Sequence, residues 1–205
     1  MEFNDLKKQY TFSKKKIIKN IKNVLSHGRY ILGPEVEDLE NKLAKKINSR
    51  YCLGVSSGTD ALLLALMALN IKPGDEVITT NYSWISTIEV IKLVNAKPIL
   101  VDINNNDYNL DCTKIESKIT KKTKAIIAVS LFGKVADFTY LKKLSQKYNI
   151  PIIEDGAQSF GAKFDNNFSC NLSLIGCTSF YPSKSLGAYG DAGAIFTNSK
   201  RIYEK

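Results

Sequence analysis

The fold is decided first by residues 150–159, which read IPIIEDGAQS. A short apolar run ends abruptly at two acids, Glu154 and Asp155. Such a run is typical of a strand that is buried on both faces, as in a parallel sheet covered by helices. We therefore predict a strand over residues 150–154 with two carboxylic acids at its carboxyl end.

The flanking sequence extends this pattern in both directions. Other short apolar runs predict strands at residues 51–55, 76–80, 98–101, 125–129, 177–180 and 194–196. Helical spacing of apolar residues predicts helices within the first thirty residues and at residues 35–47, 60–69, 87–94, 114–119 and 138–148. Strands that alternate with helices predict an α/β fold with a mainly parallel sheet covered on both faces.

Polar and glycine-rich segments follow four of the predicted strands. They come after Val55, Thr80, Glu154 and Phe180. In open α/β sheets, ligands bind at the carboxyl ends of the strands. The pattern therefore predicts one ligand site built from these four segments.

The first of these segments is residues 56–60, SSGTD, between a predicted strand and a predicted helix. Free backbone N–H groups at a helix start, beside the small Gly58 and the hydroxyl of Thr59, are suited to a phosphate. Ser, Thr and Asp are also favoured helix N-caps without any ligand. Both interpretations stay open at this point.

The acid Asp155 and the amide Gln158 belong to the segment after the central strand. A carboxylate there is able to hold a protonated ring nitrogen, a metal or a ribose. Alternatively, Asp155 caps a helix and Gln158 completes a capping box three residues later. The local sequence leaves both alternatives open.

The most unusual segment is residues 178–187, TSFYPSKSLG, in which Lys184 lies in a turn rich in hydroxyl groups. A lysine that forms covalent bonds needs partial shielding from water, whereas a surface lysine does not. The nearby Gly187, Gly190 and Gly193 predict close passage of the backbone around a bound group. On local context alone, an ordinary surface lysine is favoured over a catalytic one.

Trp84 is the single tryptophan and follows the predicted strand at residues 76–80. An indole ring in this place is suited to stacking on an aromatic cofactor. The alternative is an ordinary core aromatic side chain.

The composition is that of a globular domain: 205 residues, 44% hydrophobic and 24% charged, with a net charge of +9. Lysines are spread along the whole chain, so we expect no nucleic-acid binding, although a DNA-binding regulator is kept as an alternative. The positive charge would also attract an anionic substrate such as a nucleotide diphosphate.

Cysteine and histidine are scarce and scattered. The four cysteines form no close CxxC pair and His27 is the single histidine, so no metal site is expected. We find neither an apolar signal segment nor a stretch long enough to span a membrane, and we expect a cytoplasmic protein without a membrane partner.

Taken together, the segments resemble the DegT family of sugar aminotransferases that use pyridoxal 5'-phosphate (PLP). The motifs that carry this resemblance are FNDL (3–6), GPEV (33–36), SGTDAL (57–62), PGDEV (73–77), VSLFG (129–133), EDGAQS (154–159) and SFYPSKSLG (179–187). The resemblance implies the aspartate aminotransferase fold, with residues 1–205 forming an N-terminal segment and most of the large PLP-binding domain.

The resemblance assigns a role to each candidate residue. Lys184 corresponds to the lysine that binds PLP covalently and then moves the proton of the substrate carbon. Asp155 corresponds to the partner of the ring nitrogen, and Gln158 to an amide near the ring hydroxyl. Trp84 corresponds to the aromatic side chain that stacks on the ring.

The phosphate of PLP would, by the same resemblance, contact the helix start and one strand end. The residues implied are Gly58, Thr59 and Ser179. Glutamate would donate the amino group and a nucleotide-linked keto-sugar would accept it, in two half-reactions at one site.

Residues 27–34, HGRYILGP, with residues 169–173, SCNLS, are similar to one branch of the family. That branch aminates the 3-keto group of UDP-linked 2-acetamido-2-deoxy-3-oxo-glucuronate for surface polysaccharide and lipopolysaccharide assembly. Sugars aminated at C4 remain an alternative. Full-length members of the family are homodimers that share active-site residues.

The sequence departs from the family pattern in two respects. Ala192 replaces a usual glycine, which would cost about 1 kcal/mol if the backbone there needed a positive φ. The chain also stops at Lys205, so we expect a truncated fold without the C-terminal small domain. A non-catalytic remnant that still binds PLP is therefore an alternative to an active enzyme.

Overall fold

The computed structural model describes residues 5–205, so Phe3 and Asn4 of the first motif lie outside the described residues. The helices are α1 (Leu6–His27), α2 (Pro34–Ile47), α3 (Gly58–Ala68), α4 (Ser86–Leu93), α5 (Phe138–Tyr148) and α6 (Lys200–Tyr203). The strands are β1 (Tyr51–Val55), β2 (Glu76–Thr80), β3 (Lys97–Val101), β4 (Thr123–Val129), β5 (Ile152–Asp155), β6 (Lys163–Phe164), β7 (Asn167–Phe168), β8 (Ile175–Ser179) and β9 (Gly193–Thr197).

Seven strands form one sheet in the order β1-β9-β8-β5-β4-β2-β3. Strand β9 pairs antiparallel with β1 and β8, whereas the other neighbouring strands pair parallel. This arrangement confirms the predicted α/β fold with a mainly parallel sheet. Because β1 and β8 both pair antiparallel with β9, they run in the same direction, and the carboxyl ends of β1, β2, β5 and β8 lie along one edge, where the polar segments were expected to meet.

The sheet is covered on both faces, as predicted. On one face, Leu66 of α3 and Ile91 of α4 pack in one buried cluster with sheet residues such as Ile127. On the other face, Phe138 and Leu141 of α5 pack in a second cluster with other sheet residues. Burial of these side chains positions α3 and α4 with their first turns at the edge that carries the polar segments.

Helix α5 shows why the sequence predicted some boundaries well. The side chain of Asp137 accepts a hydrogen bond from the N–H of Tyr140 and caps the helix start. Asn149 ends the helix with a left-handed backbone, φ 53°. Both residue types are favoured at these positions, and the predicted range 138–148 is confirmed.

The predicted helix at residues 114–119 is wrong. The chain instead forms two 3₁₀ turns, Cys112–Lys114 and Glu116–Lys118. Cys112 and Ile115 are buried three residues apart, which matches the three-residue period of a 3₁₀ turn. The carboxylate of Glu116 also accepts a hydrogen bond from Tyr148 of α5, which fixes this segment against that helix.

The hairpin formed by β6 and β7 and the short helix α6 were not predicted. Asp165 and Asn166 connect the hairpin and both have positive φ, 46° and 64°. Two adjacent positive φ values are typical of a type I′ hairpin turn, for which Asp and Asn are common. The sequence signal was therefore present, although the paired segments are only two residues long.

The four cysteines are free and buried. Burial raises the pKa of Cys52 and of Cys112 to about 12, so neither is a ready thiolate. Among residues 5–205, no cluster of three or more His, Cys, Asp or Glu side chains is arranged to hold a metal ion. Within the same range, none of the helices has the length and apolar character needed to cross a membrane.

Candidate active site

A pocket with a volume of about 500 Å³ opens at the carboxyl ends of the parallel strands. All seven residues predicted from the sequence line it: Gly58, Thr59, Trp84, Asp155, Gln158, Ser179 and Lys184. The volume is in the range of small-ligand sites in proteins. The structure therefore brings the four predicted segments together in one place.

The start of α3 forms one wall of the pocket. Ser57 is the N-cap, and its Oγ accepts a hydrogen bond from the N–H of Asp60 at 3.0 Å. The N–H groups of Gly58 and Thr59 are in the first helical turn and have no partner within the helix. The capping role of Ser57 is thus confirmed, and it leaves these two N–H groups as donors for an anion.

Gly58 is needed because the backbone of α3 passes very close to β8. A Cβ atom at Gly58 would lie 2.7 Å from the Cβ of Ser179, far inside contact distance. Glycine thus allows the helix start and the Ser179 hydroxyl to face the same pocket. Thr59 Oγ1 donates a hydrogen bond to Ser86 Oγ at 2.9 Å, which connects α3 to the start of α4.

Trp84 lies just before α4 and is 73% exposed. The alternative of a core aromatic side chain is therefore wrong. The indole contributes to the pocket wall. A large apolar ring that is left open to solvent at a pocket is suited to stacking on a planar ligand.

Asp155 ends β5 and is only 6% exposed. Its Oδ2 accepts a hydrogen bond from Thr87 Oγ1 at 2.9 Å, and its Oδ1 accepts one from the N–H of Ala157 at 3.2 Å. Burial raises the pKa of Asp155, while the hydrogen bonds from Thr87 and Ala157 and the charge of Lys184 oppose this change. A buried acid that faces a pocket beside a lysine is typical of a functional site.

The helix-cap interpretation of Asp155 and Gln158 is wrong. The residues that follow Asp155 form turns rather than a helix. Gln158 Oε1 instead accepts a hydrogen bond from the N–H of Phe132 at 3.1 Å. Because the oxygen of the amide is occupied there, its NH₂ group is the end left to donate to a ligand.

Lys184 is half-buried in the turn after β8. The backbone N–H of Lys184 donates a hydrogen bond to the carbonyl oxygen of Tyr181 at 2.8 Å. Close backbone passage was predicted at three glycines. A Cβ at Gly187 would lie 2.4 Å from Pro182 O, and one at Gly193 would lie 2.5 Å from Ser57 O.

The prediction of close passage is wrong at Gly190, where an added Cβ would meet no atom within 4 Å. The condition under which Ala192 would cost stability does not hold, because its φ is not positive. The carbonyl oxygen of Ala192 accepts a hydrogen bond from Phe180 N at 2.7 Å in ordinary sheet-like pairing.

Three hydroxyl residues around Trp84 were not predicted to belong to the site. Ser83, Ser86 and Thr87 all line the pocket, and Thr87 is the direct partner of Asp155. Their spacing of three and four residues places them near one another at a helix start. A cluster of hydroxyl groups after a strand end was the available signal.

Glu154, the neighbour of Asp155, is fully buried and does not line the pocket. It accepts hydrogen bonds from Ser169 Oγ at 2.6 Å and from the N–H of Cys170 at 2.8 Å. Burial raises the pKa of Glu154 to about 7 despite these donors. Its contacts show a structural role, since it fixes the segment that follows the hairpin of β6 and β7.

We expect Glu154 to make the stability of the chain depend on pH. Because its pKa rises from 4.5 to about 7 on folding, the folded state binds the proton more tightly. The free energy of unfolding should therefore fall by about 3 kcal/mol as the pH rises through this interval. Glu154→Gln cannot titrate, so urea unfolding across the interval should show this change only in the wild type. A difference in the free energy of unfolding between the two proteins that stays constant with pH would contradict the prediction.

Comparisons with known proteins identify relatives of the chain. Residues 12–205 match the sequence profile of the DegT/DnrJ/EryC1/StrS aminotransferase family. The chain is 52% identical to the UDP-2-acetamido-2-deoxy-3-oxo-D-glucuronate aminotransferase of Pseudomonas aeruginosa over 98% of its own length and 56% of that protein. The chain thus spans about half the length of the curated relatives it matches.

Two solved structures have the same architecture. A DegT DnrJ EryC1 StrS aminotransferase from Brucella abortus superposes with a TM-score of 0.96 at 37% identity, covering 100% of this chain and 57% of that one. NtdA from Bacillus subtilis, solved with bound cofactor PMP, superposes with a TM-score of 0.88 at 35% identity. That match covers 93% of this chain and 43% of the NtdA chain.

Proposed function

Because this chain belongs to the DegT/DnrJ/EryC1/StrS aminotransferase family, we propose that it serves the PLP-dependent transamination of a nucleotide-linked keto-sugar. One observation carries this proposal. A half-buried lysine, a buried carboxylate and a helix start with free N–H groups line the same pocket. Residues 1–205 would form the N-terminal segment and most of the PLP-binding domain of such an enzyme.

The chemical character of the pocket fits PLP. The phosphate would be held by the N–H groups at the start of α3, where Gly58 keeps the space open, and by the hydroxyl of Ser179. The hydroxyl of Thr59 would join them once its proton turns from Ser86 to the phosphate. Asp155 would hold the ring nitrogen, and Trp84 would flank the ring. When bound, PLP supplies an electron-withdrawing ring that stabilises negative charge on the carbon next to the transferred amine.

Side chains of this protein would carry out the remaining steps. The amine of Lys184 would hold the cofactor and then move the proton of the substrate carbon, as a positioned general base and acid. Asp155 would keep the ring nitrogen protonated through its negative charge. Gln158 would donate its NH₂ group, because its oxygen is held by the N–H of Phe132.

We further propose glutamate as the amino donor and a UDP-linked 3-keto sugar as the acceptor, in surface polysaccharide or lipopolysaccharide synthesis. The 3-oxo sugar linked to UDP in the name of the Pseudomonas aeruginosa relative supports this substrate. The net charge of +9 would favour the approach of a nucleotide diphosphate. A cytoplasmic location is part of the same proposal, and four free thiols support it.

Glutamate alone provides a first test of this function. The PLP-loaded chain should release 2-oxoglutarate from glutamate in an amount equal to the bound cofactor and then stop. Addition of a UDP-linked 3-keto sugar should restart 2-oxoglutarate release and yield the amino sugar, which mass spectrometry would detect. A chain that binds PLP without any 2-oxoglutarate release would instead be a non-catalytic remnant.

We also propose that the functional protein is a homodimer. Helix α1 contributes no buried residue, and its Phe12 is 83% exposed. In the loop that follows α1, Ile31 is 87% and Leu32 is 76% exposed. Apolar surface of this kind is typical of an interface. Sedimentation velocity should give the mass of a dimer, and a monomer at every concentration would overturn this proposal.

A further inference from the structure

A chain of two hydroxyl groups leads from Ser83, in the segment before α4, through Thr87 to the buried carboxylate of Asp155. Ser83 Oγ lies 3.1 Å from Thr87 Oγ1, and Thr87 Oγ1 lies 2.9 Å from Asp155 Oδ2. Thr87 is only 1% exposed, so water does not replace either contact. The second bond could not be predicted from local sequence, since its partners are 68 positions apart.

The chemistry of the groups fixes the direction of both hydrogen bonds. An ionised Asp155 only accepts, and Thr87 has a single hydroxyl proton. Thr87 therefore donates to Asp155, and Ser83 donates to Thr87. The second oxygen of Asp155 accepts from the N–H of Ala157. Both oxygens are thus held from the protein side, and the remaining lone pairs are left for a ligand in the pocket.

Thr87 also opposes the effect of burial on Asp155. Burial raises the pKa of this acid, and the hydrogen bond from Thr87 is the largest of the influences that lower it. The other groups that face Asp155 are the N–H of Ala157, the cation of Lys184 and the uncharged buried thiols of Cys170 and Cys177. Without Thr87, the negative charge would depend on the N–H of Ala157 and then on Lys184, which the proposed reaction itself engages.

The start of α4 and the residues just before it support the rest of the pocket. Ser86 accepts the hydrogen bond from Thr59 at the phosphate end, while Trp84 contributes to the wall. Thr87 packs against the sheet as a buried residue of α4. One rigid element therefore joins three parts of the pocket, which is how precise binding geometry is maintained.

We propose that Thr87 is the positioning residue of the site: its hydroxyl, polarised by Ser83, orients Asp155 and keeps it charged so that it pairs with the ring nitrogen of PLP. This inference rests on the proposed function. Thr87 touches the carboxylate and not the reacting atoms. Its contribution should therefore appear in cofactor binding and ring protonation.

A matched pair of substitutions tests the hydroxyl itself. Thr87→Val keeps the shape of the side chain and removes the hydroxyl, whereas Thr87→Ser keeps the hydroxyl. Loss of a hydrogen bond to a charged group should weaken PLP binding by roughly 10- to 100-fold in Thr87→Val, and Thr87→Ser should stay close to the wild type. Equilibrium dialysis of the 205-residue chain against PLP gives both dissociation constants.

Two further measurements separate positioning from a general loss of structure. Nitrogen NMR of ring-labelled PLP should show less protonation of the ring nitrogen in Thr87→Val. Ser83→Ala should shift both readouts in the same direction by a smaller amount. Thr197→Val is the control, because it removes a buried hydroxyl that donates to Leu174 O at the opposite edge of the sheet. This control should leave the dissociation constant and the ring protonation unchanged.

The outcomes distinguish this inference from the proposed function. A wild-type chain that fails to bind PLP would overturn both. If the wild type binds PLP while Thr87→Val shows unchanged affinity and ring protonation, this inference alone is overturned. A weakened affinity that Thr87→Ser shares to the same extent would also overturn it, because the hydroxyl would then not be the cause.

Discussion

Replacing Lys184 with alanine is expected to abolish the covalent attachment of PLP. Lys184 is the single lysine that lines the pocket among residues 5–205, and it is close enough to Asp155 to affect its pKa. Borohydride reduction of the PLP-loaded wild type should leave the label on the peptide that contains Lys184. The same treatment of Lys184→Ala should leave no labelled lysine.

The loss of turnover should be large as well. Removal of a positioned proton-transfer group alone costs about 10²- to 10⁴-fold in rate. Lys163→Ala is a suitable control, because Lys163 lies over the ring of Phe168 in the hairpin and not in the pocket. Label that moves to another lysine in Lys184→Ala, with unchanged 2-oxoglutarate release, would show that Lys184 is not the attachment point.

The elements of the fold could be predicted because the apolar residues that a helix or strand buries recur at a regular spacing in the sequence. The range of α5 and the strand β2 were predicted to the residue, since apolar spacing and capping residues act locally. The candidate site was predictable for a related reason. Its residues lie at or just after strand ends, and parallel strands bring their carboxyl ends to one edge.

Contacts between distant segments could not be predicted in this way. No local rule indicates that Thr87, rather than another hydroxyl, would reach Asp155. The hydrogen bond from Ser169 to Glu154 could not be predicted either, because the position of Ser169 depends on the hairpin of β6 and β7. The exposure of Trp84 depends on how α4 packs on the sheet. The residues next to Trp84 in sequence do not determine this packing.

The substitution Asp155→Asn is expected to separate the function of this acid from its effect on stability. The variant should bind PLP about 100- to 5000-fold more weakly, because removal of one member of a buried charge pair costs about 3–5 kcal/mol. Equilibrium dialysis against PLP measures this change directly. Asp155→Glu, which keeps the charge but shifts its position, should lose part of the affinity.

In the absence of PLP, Asp155→Asn is expected to have the opposite effect: the stability of the chain should not fall. Burial raises the pKa of Asp155, so its charge costs folding free energy at any pH above its ordinary range. Asparagine removes that cost and is still able to bond with Thr87 and with the N–H of Ala157. Urea unfolding of Asp155→Asn without PLP should therefore show equal or greater stability than the wild type, and the difference should increase as the pH rises. A variant that lost both stability and PLP affinity would mean that Asp155 supports the fold. Opposite changes would mean that the chain keeps a destabilising buried charge because the cofactor needs it.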